Sequence, residues 1–345
     1  MKNNQNINFS DNQKAQTFQK GNLQKGQLKE KEKQFDLKQN LLNNEISLSP
    51  FGENQINLCS YFNTKLSEQA LLNYGTSYLK LFIAKSKQNI LPEDFMQNHS
   101  VSPLIRAKMV NWMIEIFYNF HSNEETFLSA VDIMDKFLYF YKKKIIKDED
   151  IHLIGIVCIY ISSKFYDLYP INIDNIIHQI GHDKFSTKEI LKMEKIIIKT
   201  INFEMFYNCG FDLIRFFIYD FYINNKSTFN ILKCHQYVDM LTNTSIWIYK
   251  MCKHFEQYSS SNPLTLAISC LLIGYDLIKD NCNRFNGKIK NFFKKWLTFL
   301  YNKIGKNKEN KEKIEIEYKM IQNSYDEYKK AEFKNLSIYH ELYFE

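Results

Sequence analysis

Apolar side chains recur at three- and four-residue steps along most of the chain after about residue 66. This spacing gives a helix one apolar face, which packs against neighbours while the opposite face stays polar. Residues 103–120 show the pattern clearly. The spacing predicts helices at 66–87, 103–120, 122–138, 148–164, 173–180, 186–201, 211–223, 231–249, 263–278, 289–301 and 311–328.

Two of these stretches, residues 151–161 and 267–275, are apolar on almost every side. A helix of that kind lies in the middle of a domain, surrounded by other helices. Gly155, in the first stretch, would let a neighbouring helix approach closely. The second stretch echoes the first, which suggests that one helical unit has been duplicated.

Short polar motifs indicate where several helices begin. In a capping box, a Ser and a Glu three residues later satisfy each other's backbone N–H groups. An Asn before a Pro is another helix start, because the Asn caps the helix and the Pro fits its first turn. The chain has three such starts: Ser122 with Glu125, Ser186 with Glu189, and Asn262 before Pro263.

The order of the predicted elements indicates an all-α fold. Residues 101–206 contain five predicted helices and residues 207–330 another five, so we expect two helical domains. Residues 59–100 add an extra N-terminal helix and a linker. Residues 1–58 are rich in Asn, Gln and Lys and have too few apolar side chains to fold, so we expect a disordered tail there. Residues 331–345 are expected to form a C-terminal tail.

The charge and the cysteines exclude several classes of protein. The net charge of +7 comes mostly from Lys, since the only arginines are Arg106, Arg215 and Arg284. Because base recognition relies on Arg, and the Lys residues are mixed with Asp and Glu, we expect no nucleic-acid partner. The seven Cys form no C-x-x-C pair, and most lie in apolar runs. We expect buried free thiols in a reducing compartment.

No motif for catalysis, metal binding or membrane insertion is present in the sequence. The chain has no Gly-rich phosphate loop with a Lys, no G-x-S-x-G and no H-E-x-x-H. We therefore expect a protein that is not an enzyme and uses no cofactor or metal. Its polar start lacks the apolar core of a signal peptide, and no stretch is long enough to span a membrane without charges. We expect no membrane partner and a location in the nucleus, the cytoplasm or both.

Three charged side chains interrupt otherwise apolar helical segments, namely Arg106, Lys164 and Glu194. Each has a structural explanation. Lys164 can complement the dipole at a helix C-terminus, and Glu194 can lie among lysines on a solvated face. Arg106 can form an internal ion pair with an acid such as Asp135. The alternative is that these side chains contact a partner.

Several motifs in the correct order resemble those of one family. Residues 105–115 are similar to the cyclin-box opening M-R-A-I-L-x-D-W-L-x-E, and residues 126–138 to T-x-x-L-A-x-x-x-x-D-x-F-L. Further matches are Leu153-Ile154-Gly155 with L-V-G, Ser162-Ser163-Lys164-Phe165 with A-S-K-F/Y, Tyr169-Pro170, Thr187, Met193-Glu194 and Asn202-Phe203. The chain thus resembles the mitotic A- and B-type cyclins over residues 60–205, and more loosely to about residue 330.

The resemblance implies tandem cyclin folds of about five helices each, after an extra N-terminal helix. It implies a regulatory subunit that binds and activates a cyclin-dependent serine/threonine protein kinase in cell-cycle control. The kinase interface implied by the matching positions consists of Lys164, Phe165, Glu194, Ile198 and Phe203. Arg106 and Asp135 match an internal pair that holds the first fold together.

The resemblance also implies a second surface, the family's substrate-docking patch. The matching positions are Ile105, Lys108, Met109, Trp112, Glu115 and His152. Lys108 replaces an aliphatic residue and His152 replaces a Gln, which disfavours docking of R-x-L motifs. Substrates or inhibitors of the kinase would contact this first-box helix. The N-terminal tail has no Arg, so it lacks an R-x-x-L degradation box.

Two other functions remain open on the sequence. A two-cyclin-fold transcription factor of the TFIIB type would bind DNA, but would normally bring a zinc ribbon and a strongly basic second fold. A helical scaffold could have kept the fold and lost kinase activation, although the presence of Lys164 and Glu194 speaks against this.

Overall fold

Helices and short connections make up the computed structural model of the chain. It describes residues 90–205, 210–225, 231–281, 287–304 and 308–330, together with part of 74–84. All of these residues belong to one compact unit, Ile56–Glu345. The described residues within 74–84 are helical, and the rest of the helix predicted at 66–87 lies outside the described residues. So do the tails predicted at 1–58 and 331–345.

The described elements fall into two successive groups, called here the first and the second repeat. The first repeat contains α1 (Pro103–Asn119), α2 (Glu124–Phe140), a 3₁₀ turn (Asp148–Asp150), α3 (Ile151–Tyr166), a π-helical segment (Asn175–Ile180) and α4 (Thr187–Thr200). The second repeat contains α5 (Gly210–Asn225), α6 (Ile231–Cys252), a 3₁₀ turn (Glu256–Ser259), α7 (Pro263–Asn281), α8 (Gly287–Ile304) and α9 (Lys308–Lys330). Among these residues there is no β-strand, only an isolated bridge between Ser100 and Lys147. The prediction of an all-α fold is confirmed.

Each repeat is built around one central helix. In the first repeat α3 packs against α1, α2 and α4, and in the second α7 packs against α5, α6 and α9. A Cβ atom on Gly155 would lie 1.8 Å from Cε of Met109, so α1 and α3 approach closely at this glycine, as predicted. Gly274 of α7 has the same relation to α6, where a Cβ atom would lie 2.6 Å from Oγ of Ser245. None of the helices within the described ranges is long and apolar enough to cross a membrane.

Two of the three predicted helix starts are confirmed. The Ser186 side chain accepts a bond from the Glu189 backbone N–H, and the Glu189 carboxylate accepts one from the Ser186 N–H. The side-chain oxygen of Asn262 accepts a bond from the Leu264 N–H at 2.9 Å, with Pro263 in the first turn of α7. In both cases the partners are within three residues, so the sequence alone contains the whole motif.

The capping box predicted for Ser122 and Glu125 is wrong. The cap of α2 is Asn123, whose side chain makes no capping bond. The Asp167 carboxylate, just beyond α3, accepts bonds from the Ser122 hydroxyl at 2.8 Å and the Asn123 N–H at 3.2 Å. It also accepts one from the Thr126 hydroxyl at 2.6 Å. A full negative charge suits a helix N-terminus better than a neutral hydroxyl does, which explains why the distant acid replaces the local cap.

Candidate partner-binding site

The end of α3 and the middle of α4 place two opposite charges side by side at the surface. Lys164 lies in the last turn of α3 and Glu194 lies on α4. The Lys164 ammonium and the Glu194 carboxylate form an ion pair. The two side chains are 37% and 14% exposed, so the pair is open to solvent on one side. Both groups are therefore within reach of another molecule.

A third side chain, Tyr160, also contacts Lys164. Its ring centroid lies 3.9 Å from Nζ of Lys164, which is a cation–π contact. Tyr160 lies one helical turn before Lys164 on α3 and is half-buried. Tyr160 was not predicted from the sequence. The signal was present nonetheless, because residues four apart on a helix lie on the same face.

The C-terminus of α4 exposes Phe203 through an unusual turn. Asn202 and Phe203 have φ values of 52° and 60°, in the left-handed region. The Phe203 N–H donates to the Ile198 carbonyl at 3.0 Å, which closes the end of the helix. The left-handed conformation costs a residue with a Cβ about 1–2 kcal/mol. The backbone thus holds Phe203, which is 64% exposed, next to the half-buried Ile198.

More apolar surface follows Lys164 along the chain. Phe165 is 43% exposed, and Leu168 and Tyr169 are more than four-fifths exposed. Asp167 lies within this segment and ties it to the N-terminus of α2 by the bonds described above. Exposed apolar side chains therefore follow Lys164 directly along the chain, and Asp167 holds this segment to the start of α2.

Arg106 and Asp135 lie elsewhere, at the contact between the repeats, and are almost fully buried. Two bonds join them, Nε to Oδ1 at 2.8 Å and Nη2 to Oδ2 at 2.6 Å. Nη1 of Arg106 donates to the carbonyls of Lys253 and His254, and the Ser259 hydroxyl donates to Asp135. Burial lowers the pKa of Arg106, but the carboxylates of Asp135, Glu256 and Asp132 together outweigh it and raise that pKa above its usual value.

Acidic residues of α2 extend this contact between the repeats. The Lys253 ammonium lies 2.7 Å from the Asp132 carboxylate, and both side chains are nearly buried. Two further ion pairs join α2 to the second repeat, Arg215 with Glu125 and Lys250 with Glu124. Arg106 and Asp135 therefore belong to a charged junction between the repeats, defined by these ion pairs, and not to the surface around Lys164.

The structure also brings together part of the predicted docking patch. The rings of Trp112 and His152 lie edge to face with centroids 5.2 Å apart, and Phe185 packs against His152 at 5.6 Å. Burial, together with nearby Lys184 and His182, lowers the pKa of His152. The remaining positions on α1 differ in exposure, with Met109 buried, Ile105 half-buried, and Lys108 and Glu115 exposed. Phe185 was not anticipated from the sequence.

Comparison with known proteins gives a family for this architecture. Residues 77–206 match the model of the cyclin N-terminal domain. Mitotic cyclin-B1 of Caenorhabditis elegans is 29% identical over 143 residues, 41% of this chain and 38% of that protein. Cyclin-A3-2 of Arabidopsis thaliana is 25% identical over 221 residues, 63% of this chain and 55% of that protein.

A solved viral cyclin from herpesvirus saimiri has a TM-score of 0.49 and 15% identity, and the match covers 72% of this chain and 99% of the viral chain. The chain spans between a quarter and just over half of the length of the cellular relatives that it matches. Their names are those of A- and B-type cyclins, and the family model covers the whole first repeat. Residues 77–206 are therefore a cyclin N-terminal domain, and the chain is similar to A- and B-type cyclins.

Proposed function

We propose that the chain is the regulatory subunit of a cyclin-dependent protein kinase, and that it binds and activates this kinase through the surface around Lys164 and Glu194. One observation carries the proposal, namely that a solvent-accessible Lys–Glu pair is followed along the chain by exposed apolar side chains in a segment that Asp167 ties to α2. The match of residues 77–206 to the cyclin N-terminal domain supports it. The positions of Lys164 and Glu194 are those at which the family's interface residues are expected.

The chemistry of this surface suits a helix of the partner. In protein kinases, a Glu on a mobile helix must pair with the catalytic Lys before phosphoryl transfer can occur. The Lys164 ammonium can donate to a backbone carbonyl of that helix, and the Glu194 carboxylate can accept from a backbone N–H. A hydrogen bond that involves a charged group contributes about 1.5–3 kcal/mol. Binding in this way would favour the active arrangement of the kinase over the inactive one.

The Lys164–Glu194 pair can be broken at little cost in free energy, which suits a pair that exchanges partners on kinase binding. Exposed ion pairs contribute only about 0–1 kcal/mol, so Lys164 and Glu194 can leave each other for new partners at little cost. The apolar side chains beside them would lose their contact with water on binding, which is favourable in proportion to the area covered. We expect the apolar residues to supply most of the affinity and the charges to fix the orientation.

The test is protein kinase activity recovered with the tagged chain. Wild type is compared with Lys164→Ala/Glu194→Ala, using a histone-type substrate. The matched control is Lys147→Ala/Glu149→Ala, which removes another exposed Lys–Glu pair at the opposite end of α3. That end is about 24 Å away, the length of a 16-residue helix. We expect activity with wild type and the control, and at least a tenfold loss with the double alanine variant.

Two results would contradict the proposal. Equal activity in all three proteins would show that Lys164 and Glu194 do not form the interface. No activity with any of them, from chains that circular dichroism shows to be helical, would favour the scaffold or the transcription-factor alternative. A gel shift with DNA would then separate those two.

A further inference from the structure

The Lys164 ammonium has two neighbours of different character in the free chain. Glu194 holds it by charge, and Tyr160 holds it by the face of its ring, 3.9 Å away. The Tyr160 ring packs against the hydrophobic core and is half-buried, so its position is set by the fold. Lys164 is more than a third exposed and sits over this fixed ring.

The two contacts behave differently when a partner arrives. The Glu194 carboxylate accepts from the N–H groups of the Lys164 ammonium. Glu194 must therefore break its contact with Lys164 before it can accept a hydrogen bond from the partner. A ring face attracts the positive charge through its electron density and leaves N–H groups free to donate. Lysine is also costly to immobilise, since its long side chain loses much rotamer freedom. A ring contact that survives binding would reduce that cost, because the side chain is already held in place.

We propose that Tyr160 is a positioning residue, which holds the Lys164 ammonium in its binding orientation before and after Lys164 exchanges Glu194 for the partner. This inference rests on the proposed kinase interface and extends it by one residue. Tyr160 itself need not touch the partner. Its effect on binding passes entirely through Lys164.

The first experiment tests the ring contact in the free chain. Lysines are ¹³C-methylated by reductive methylation, and the Lys164 resonance is assigned by its loss in Lys164→Arg. Ring current should shift this resonance upfield in wild type. We expect Tyr160→Phe to keep the shift, because the ring remains, and Tyr160→Leu to abolish it. A Lys164 resonance at the position of exposed lysines in wild type would overturn the inference.

The second experiment measures affinity for a purified mitotic-class cyclin-dependent kinase. A cation–π contact at a partly exposed site corresponds to a factor of about two to five in affinity, and this is the upper limit for Tyr160 because the contact already exists in the free chain. We expect Tyr160→Leu to weaken binding measurably, by no more than this factor, and Tyr160→Phe to restore it. In a Lys164→Met background, Tyr160→Leu should have no further effect. An equal loss in both backgrounds would show that Tyr160 acts through packing and not through Lys164.

The chain offers a closely matched control. Tyr325 and Lys329 on α9 are also four residues apart, with Nζ 3.9 Å from the ring centroid. Tyr325→Leu removes the same contact in the second repeat, and we expect kinase affinity to remain at the wild-type value. A loss equal to that of Tyr160→Leu would overturn the inference. If the wild type does not bind the kinase, the proposed function is contradicted. The upfield shift of the Lys164 resonance would still test the ring contact independently of the kinase.

Discussion

Two ion pairs in this chain have the same chemistry and opposite surroundings. The side chains of Arg106 and Asp135 are 0% and 1% exposed and form their hydrogen bonds with other groups of the protein. The side chains of Lys164 and Glu194 are 37% and 14% exposed. Loss of one partner from a buried pair leaves a charge in a medium that cannot solvate it. Loss of a partner from an exposed pair lets water replace it. The buried pair therefore stays intact as long as the protein is folded, whereas the exposed pair can exchange its partners.

The largest effect is expected from Asp135→Ala. This change removes the only carboxylate that pairs with the buried Arg106 among the ion pairs of the described residues. It should lower the free energy of unfolding by about 3–5 kcal/mol. Urea denaturation followed by circular dichroism measures this loss. Glu149→Ala, at an exposed position, is the control and should change stability by less than about 0.5 kcal/mol. A loss below 1 kcal/mol for Asp135→Ala would contradict the assigned role.

A pH dependence is expected at the same junction. Burial lowers the pKa of His254 to about 4, although backbone carbonyls oppose the shift and Arg106 adds to it. In the unfolded chain His254 takes up a proton as the pH falls through 6.5, whereas in the folded chain it does so only near pH 4. The contribution of His254 to the free energy of unfolding therefore has its full value above pH 6.5. It decreases as the pH falls towards 4, by about 3 kcal/mol in all. His254→Phe keeps a ring beside Tyr328 and should remove this loss, which urea denaturation at several pH values would detect.

Glu317 is a largely buried carboxylate whose ionised form is stabilised by hydroxyl groups and not by a cation among the described residues. Burial raises its pKa to about 7, and the hydroxyls of Thr265 and Ser261 only partly offset this. The folded chain here binds the proton more tightly, so stability is lowest above pH 7 and rises as the pH falls towards 4.5.

Glu317→Gln should therefore raise the free energy of unfolding at pH 8 by about 2–3 kcal/mol. It should also leave the His254 dependence visible, because the two groups have opposite slopes between pH 4.5 and 6.5. Denaturation of the wild type and both single variants at pH 5 and pH 8 separates the contributions. A Glu317→Gln variant less stable than wild type at pH 8 would contradict the assignment.

The smallest effect on stability is expected at the exposed pair. Lys164→Ala/Glu194→Ala should change the free energy of unfolding by no more than about 1 kcal/mol, because water replaces the lost contact. The same variant is expected to lose kinase activation at least tenfold. A large decrease in the free energy of unfolding would show that the Lys164–Glu194 pair has a structural role, as the Arg106–Asp135 pair does.

Local patterns in the sequence predicted the helices well. The limits of α1, α6 and α7 agree with the apolar spacing to within a few residues, since that spacing is set by neighbours on one helix. The Ser186 capping box is likewise complete within four residues. Features of this range need no knowledge of the tertiary structure.

Features that depend on distant partners were not predictable in the same way. Asp167 replaces the local cap of α2 from 41 to 45 positions away, which no window of sequence reveals. The left-handed turn at Asn202 and Phe203 also has no local glycine to announce it. Tyr160 was different, because its spacing from Lys164 was readable but only the fold shows that the ring faces the ammonium.

The contacts of Arg106 determine when the first repeat can complete its packing during synthesis. Its carbonyl acceptors on Lys253 and His254 lie 147 and 148 positions later in the sequence. At a synthesis rate of about 5–20 residues per second, roughly 7–30 s separate the guanidinium from these acceptors. Asp135 is made 29 positions after Arg106, so for most of that interval the first repeat has Asp135 but not the carbonyls of the second. The first repeat, although it emerges first, therefore completes its core only after α6 has been made.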